Sequence, residues 1–201
     1  MALLFAKNNS LSAVTALPAS ISGGGLNLIS TQTASSSSTI SFTSGIDSTY
    51  KEYIFKCINV HPATSDASFT FNMSVDGGSN YNVTKTTTTP RAYHDEADSE
   101  AAIEYDGGQD LAQSTSFQGI SRFLGNGNDE CGSGTLHIFD PSSTTFVKHF
   151  IAVANTYYSG DYSFNDFTAG YGNTTSAVTA VQFKMSSGNI DAGTIKMYGV
   201  T

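Results

Sequence analysis

The chain has 201 residues, of which 39% are hydrophobic and 13% charged, and its seventeen acidic residues outnumber nine lysines and arginines, for a formal net charge of −8. This length and composition suit one all-β domain with a real core and argue against charge-driven disorder. A negatively charged surface repels phosphate backbones, so we expect no nucleic-acid partner. No stretch reaches the ~18 apolar residues of a membrane span and no basic secretion signal starts the chain, so we expect a cytoplasmic product with no membrane partner.

Residues 1–25 differ from the rest of the sequence. Leu3, Leu4 and Phe5 form a short apolar head, small and polar residues follow, and a run of three glycines ends at Gly25. Consecutive glycines give the backbone maximal freedom and mark a hinge before the body, residues 26–201. The segment is either a disordered tail or an arm that docks its apolar head on a neighbouring subunit.

Strand signals begin at residue 26. Residues 26–29 and 39–42 flank a serine run that predicts a turn. The stretch Tyr50 to Val60 predicts a central strand, because both of its faces carry apolar side chains, and Pro62 ends it.

A hairpin is predicted next. Residues 68–75 alternate apolar and polar, residues 76–79 supply Asp, Gly and Ser for a turn, and a return strand begins at Tyr81. We expect one face of this hairpin in the core and the other in water.

The second half is less regular at first. Acidic residues cluster in 91–110, which predicts a loop or at most one or two helical turns; 111–124 is ambiguous, and 125–134 is a glycine-rich loop. Further strands are predicted at 135–139, 146–157 and 162–171, and a terminal hairpin at 177–200.

About eight to ten short strands with little helix are typical of a sandwich or a barrel. Strand spacing alone leaves a jelly roll, an immunoglobulin-like sandwich and a closed barrel open. The sequence contains no tryptophan, so the Cys, Trp, Cys pattern of antibody-type domains is absent.

Catalytic and metal-binding motifs are missing from the sequence. It has no nucleophile elbow, phosphate loop or dinucleotide fingerprint, so we predict no enzyme and no cofactor. Acidic residues at 95–106 and 126–130 either gather oxygens for a divalent ion or form solvated loops, and we favour loops and predict no metal. Cys57 and Cys131 are predicted to be free thiols.

Histidines and tyrosines supply the remaining candidates. His94 precedes Asp95, but adjacent residues on a strand point to opposite faces, and His149 reads as a hydrogen-bonded core or interface residue. Tyrosine among Ser, Gly, Asn and Asp is typical of binding loops. The possible ligand contacts are Tyr157, Tyr158, Tyr162 and Tyr171, with Asp161 and Asp166 as polar partners. The alternative is that these tyrosines only cap one end of the fold.

The body resembles virion structural proteins of marine tailed bacteriophages. The resemblance covers residues 26–201 and is carried by DSTYKEYIFKCINVHPAT, FTFNMSVDGGSNYNVTKTTTT followed by RAYHDEAD, DLAQSTSF, SGTLHIFDPSSTTFVKHF and TAGYGNTTSAVTAVQFKMSSGNIDAGTIKMYGV. The ending SGNIDAGTIKMYGV is its most specific part.

The resemblance implies an all-β, jelly-roll-like antiparallel β-sandwich that follows the extended N-terminal arm. It also implies a virion protein, made in the host cytoplasm, that forms a homo-oligomer such as a trimer and contacts other virion proteins such as the major capsid or tail protein. Capsid decoration on the particle exterior is the leading expectation. A receptor- or glycan-binding module of a tail fibre or baseplate is the alternative, and a polysaccharide depolymerase is a remote third.

Overall fold

The computed structural model describes residues 25–201, so the predicted arm with Leu3, Leu4 and Phe5 lies outside the described residues. The described part contains thirteen antiparallel strands. In chain order they are β1 (Leu26–Ser37), β2 (Ile40–Phe42), β3 (Glu52–Pro62), β4 (Ala67–Ser74), β5 (Lys85–Thr88), β6 (Pro90–Asp95), β7 (Ala101–Tyr105), β8 (Gln118–Leu124), β9 (Gly132–Phe139), β10 (Lys148–Tyr158), β11 (Tyr162–Gly172), β12 (Ala180–Met185) and β13 (Ile190–Val200).

Eight of these strands form two four-stranded layers. One layer has the order β1-β13-β3-β9 and the other has the order β2-β12-β4-β8. Strands that follow each other in the chain, such as β1 and β2 or β12 and β13, lie in opposite layers. This alternation is the arrangement of a jelly roll, and the predicted all-β, jelly-roll-like sandwich is therefore confirmed.

The remaining five strands extend the first layer. β10 pairs with β9, β11 pairs with β10, and both β5 and β6 pair with β11, while β7 forms the outermost strand beside β6. The resulting large sheet is much wider than the small sheet formed by β2, β12, β4 and β8. The sheets are also joined at one end by the pair Tyr158 and Leu124.

Aromatic rings from both sheets fill the core. Phe183 on β12 lies 5.4 Å, centroid to centroid, from Phe55 on β3 and from Phe69 on β4. Further along, Phe71 meets Phe150 edge to face at 5.0 Å. Such pairs add to the free energy gained by burying the rings, so the Phe183–Phe55 and Phe71–Phe150 contacts hold the two layers together.

The terminal segment contains two strands, as predicted, but they do not form a hairpin. β12 pairs with β4 and β2, whereas β13 pairs with β1 and β3. The connecting residues cross between the sheets: Ser186 N–H donates to Ser68 O, and the carbonyl of Asn189 accepts from Ala63 N–H. The turn-forming residues there suit a crossing loop as well as a tight turn.

The hairpin predicted after residue 68 is also wrong. β4 pairs with β12 and β8, and the returning chain joins β11 instead, starting at Lys85. Both faces of β4 are buried, because the chain after it folds back over the face expected to be wet. The side-chain amide of Asn72 donates there to Tyr81 O and to Thr115 O.

The acidic stretch 91–110 forms the β6–β7 hairpin instead of the predicted loop or short helix. Its carboxylates gather at the turn, where Asp95 accepts hydrogen bonds from the N–H groups of Ser99 and Glu100. Hydrogen bonds from Ser99 and Glu100 lower the pKa of Asp95. The acidic residues therefore stabilise a turn and do not interrupt the strands.

Other expectations are confirmed or need adjustment in detail. β3 is central, as predicted, between β13 and β9, and Tyr53 and Phe55 are buried. Val60 turns inward, because the ladder slips after Cys57 and Asn59 adopts a positive φ of 49°. The serine run predicted as a turn extends β1 instead. Residues 25–201 include no helix long and apolar enough to cross a membrane.

Candidate functional site

The ends of the sandwich differ in character. The turns 95–100, 125–131 and 158–161 meet at one end and carry many of the acidic side chains. We call this the acidic end. The opposite end, where β1 starts and β13 finishes, is called the N-terminal end.

A concavity of about 520 Å³ opens at the acidic end, on the face of the large sheet turned away from the small sheet. We call that face the outer face and this concavity the acidic-end pocket. Its lining residues come from β6, β10, β11 and the loop before β9 and are His94, Asp95, Glu96, Asp129, Cys131, Asn155, Thr156, Tyr157, Tyr162 and Ser163.

Strand register explains this convergence. His94 pairs with Ser163, and Ser163 pairs with Tyr157, so three strands present these residues side by side. The N–H of Tyr157 donates to the carbonyl of Cys131, which brings the loop before β9 alongside. Asn155, two residues before Tyr157, donates to Ser163 Oγ at 2.9 Å.

Carboxylates hold both tyrosines of the pocket. Tyr157 Oη donates to Asp161 at 3.2 Å, and Tyr162 Oη donates to Glu100 at 2.9 Å. Burial, followed by hydrogen bonds to Glu96 and Asp161, raises the pKa of Tyr157 to about 12. The hydrogen bond to Glu100 raises the pKa of Tyr162. Both phenols therefore remain neutral donors at physiological pH, and their rings are fixed in position.

The pocket combines two aromatic rings with hydroxyl, amide and carboxylate groups. Side-chain oxygens and amides of this kind bind the hydroxyl groups of a polyol, and aromatic rings pack on its apolar faces. His94 is engaged with Asp98 at 3.2 Å and is not paired with a nucleophile. Among residues 25–201 no group of three or more His, Cys, Asp or Glu side chains is placed to hold a metal ion.

Only two of the four predicted tyrosines meet here. Tyr158 stacks on Phe164, with ring centroids 5.0 Å apart, and does not line the pocket. Tyr171 lies near the N-terminal end, beside His149. Asp166, a predicted polar partner, is fully buried and forms an ion pair with Arg122, so it cannot contact a ligand.

Apolar side chains are exposed across the outer face. Phe167 and Ile151 are 42% and 47% exposed, and Ile103 on the outermost strand is 85% exposed. We call these three residues the apolar band. Leu26, Leu28 and Ile58 on β1 and β3 are exposed on the same face, separated from the band by polar side chains such as His137 and Glu52. Exposed apolar residues that follow one face of a sheet are typical of an interaction surface.

Two adjoining concavities of about 510 and 500 Å³ lie where this band reaches the N-terminal end. They share Phe139 and His149, and together we call them the end groove. Its apolar lining includes Phe146, which is 69% exposed, together with Val147, Ile151 and Tyr171. His149 is exposed in this groove, so its prediction as a core residue is wrong, whereas the interface alternative stays a prediction.

Sequence reasoning missed most residues of both concavities. A two-residue period through the turn between β10 and β11 places Asn155, Tyr157 and Ser163 on one face, and this pattern can be recognised from the sequence alone. His94 and Cys131 come from distant parts of the chain and join only through strand pairing. Cys57 is buried, Cys131 is half-buried, and both are free thiols as predicted.

No protein-family model, curated protein or solved structure matches the chain.

Proposed function

We propose that this chain is a non-enzymatic structural protein of a bacteriophage particle, with capsid decoration as its leading role. It assembles as a homo-oligomer, contacts other virion proteins and needs no cofactor. The observation that carries the proposal is the apolar band on the outer face, which includes Ile103, Ile151 and Phe167. Burial of such a band between copies is favourable, at roughly 25 cal/mol per Å² of apolar area.

Two further points support this assignment. A jelly roll is a fold that viral capsid proteins use, and the sequence resembles virion structural proteins of marine tailed bacteriophages. Both points are analogies of fold and sequence, and the direct test is whether the chain is present in purified particles. Purified particles of the encoding phage should contain the chain in several copies, and its presence only in infected-cell lysate would contradict the proposal.

If copies associate through the outer face, a charged substitution on that face should break the oligomer. The purified chain should be a homo-oligomer by light scattering, and Phe167→Asp should shift it to monomers, because a buried carboxylate without a partner opposes association. Val75→Asp provides a matched control, since Val75 is 38% exposed at the end of β4, away from the large sheet. A monomeric wild type, or equal effects of both substitutions, would argue against an interface on the outer face.

A second candidate function is glycan binding at a tail fibre or baseplate, and the acidic-end pocket favours it. Tyr157 and Tyr162 offer ring faces, while Asn155 and Ser163 offer polar groups in the same concavity. Jelly rolls also occur as lectin domains. The carboxylates of Glu96 and Asp129 in the lining would repel anionic sugars, so the ligand class is neutral or amino-substituted saccharides.

A glycan array tests this second candidate. Tyr162→Ala should weaken binding at least about tenfold, because removal of a ring and its hydroxyl exceeds about 1.4 kcal/mol. Tyr171→Ala is the control, since this tyrosine lies outside the pocket. If no neutral saccharide binds, or if both variants bind equally well, the pocket is not a glycan site.

A further inference from the structure

The end groove is an apolar surface at the same end of the large sheet as the start of β1. Register places Leu26 beside Val200, Val200 beside Glu52, and Glu52 beside Phe139, all in one row across the sheet. The row therefore leads directly from the first described strand to the groove.

We propose that the apolar head Leu3, Leu4 and Phe5 of a neighbouring copy occupies this groove. The inference rests on the proposed function, because a neighbouring copy is present only if the chain assembles. The end groove receives the arm, whereas the apolar band on the outer face accounts only for the association of copies.

Chemical complementarity supports this occupant. The head is apolar within an otherwise small and polar segment, and the groove is lined by apolar rings and aliphatic groups, including Phe139, Phe146 and Val147. Lys7 follows the head by two residues, and the half-exposed carboxylate of Asp140, which also pairs with the exposed Lys51 at 2.9 Å, lies in the groove lining. A lysine there adds attraction at the rim, where it stays solvated.

The length of the segment fits docking on another copy. Nineteen residues separate Phe5 from Gly25, enough to span roughly 60 Å when extended. A folded body of this size is about 40 Å across, so the head can reach a groove on an adjacent copy. The segment is also long enough for the groove of its own chain, because β11 lies only five strand spacings, about 24 Å, from β1. Length alone therefore does not select a neighbouring copy.

Continuity of the groove with the outer face favours a neighbouring copy. Ile151 is an exposed residue of the apolar band and also lines the end groove, so the surface through which copies associate in the proposed function extends into the groove.

Site-specific cross-linking of the full-length chain tests the proposal. In a Cys131→Ser background, one preparation carries Ala6→Cys and a size tag, and the other carries Thr175→Cys at the exposed rim of the groove. After mixing and subunit exchange, a short bismaleimide should join tagged to untagged chains. Ser65→Cys, exposed in the loop between β3 and β4, is the matched control and should give at least about tenfold less product.

Two more variants test the groove itself. Phe5→Ser and Phe146→Asp should each abolish the tagged-to-untagged product, whereas Val75→Asp should preserve it. Light scattering on the same samples separates the two proposals. Oligomers without the product overturn arm docking alone, and monomers overturn both proposals. In a third preparation, whose chains carry both Ala6→Cys and Thr175→Cys, cross-links confined to single chains overturn docking on a neighbour.

Discussion

Asp166→Ala is expected to lower the free energy of unfolding by about 3–5 kcal/mol, because it leaves the buried Arg122 guanidinium without its main partner. Both side chains have no solvent exposure, and Arg122 Nη2 lies 2.5 Å from Asp166 Oδ1. Arg122 also donates from its backbone N–H and from Nε to the same carboxylate. Burial raises the pKa of Asp166, while Arg122 opposes that rise.

This ion pair also has an architectural role. Arg122 belongs to β8 of the small sheet and Asp166 to β11 of the extension, so the pair ties the extension to the jelly roll. Arg122 Nη1 and Arg91 Nη1 each lie 3.4 Å from Asp106, and Arg91 continues to Glu104. Loss of Asp166 should therefore loosen the strands that carry the acidic-end pocket.

Urea denaturation followed by circular dichroism measures the effect. Glu104→Ala is the matched control, because Glu104 is 40% exposed and an ion pair of this exposure contributes about 0–1 kcal/mol. Combining Arg122→Leu with Asp166→Leu should give a protein more stable than either single variant, since no unpaired charge remains. An Asp166→Ala protein within 1 kcal/mol of the wild type would show that the pair is not important for stability.

Strand positions followed from the sequence where a two-residue period was sustained. β3, β10 and β11 were predicted close to their observed bounds, because alternation reports which side chains face the core. The same reasoning failed at β4, whose polar residues are buried by chain that returns from elsewhere. Alternation of apolar and polar residues identifies the strand, but it does not show which other part of the chain covers the polar face.

The local sequence did not predict which strands pair with each other. Both predicted hairpins were wrong, because glycine- and serine-rich loops suit a crossing between sheets as well as a tight turn. In a jelly roll most partners are distant in the chain, and β1 pairs with β13 across nearly the whole sequence. The correct fold class came from the resemblance and from the number of strands.

The candidate site was predictable only in part. Composition singled out four tyrosines, and strand pairing brought two of them together with residues from distant segments. Buried charges were not foreseen at all. Of nine lysines and arginines in the sequence, Lys85, Arg122 and Lys148 have no solvent exposure, and no sequence pattern separates them from surface residues.

Lys85→Met is expected to raise the free energy of unfolding at neutral pH, by an amount on the order of the 1–4 kcal/mol found when apolar residues replace buried ion pairs. Lys85 Nζ donates to Asn72 Oδ1 at 2.6 Å and to Val83 O at 2.8 Å. Among residues 25–201, no carboxylate lies within ion-pair distance of it. Burial lowers the pKa of Lys85 from 10.5 to about 7.

The lowered pKa sets the sign of the pH dependence. Between pH 7 and 10.5 the unfolded chain binds a proton at Lys85 that the folded chain has largely released, so this residue makes stability rise with pH. Stability is correspondingly lost as pH falls toward 7. The buried thiol of Cys57, whose pKa is raised to about 12, acts in the opposite direction above its ordinary value of 9. Measurements between pH 7 and 9 avoid the thiol, and comparison with Lys85→Met cancels the contribution of Lys148, whose pKa burial also lowers.

Urea titrations of wild type and Lys85→Met at several pH values in this window provide the measurement. The difference in unfolding free energy should be largest at pH 7 and shrink by about 1.4 kcal/mol for each pH unit. Lys51→Met is the matched control, since Lys51 is 77% exposed beside Asp140 and should give a small, pH-independent change. A difference that stays constant from pH 7 to 9 would mean that Lys85 keeps its proton in the folded chain, with its two acceptors compensating for burial.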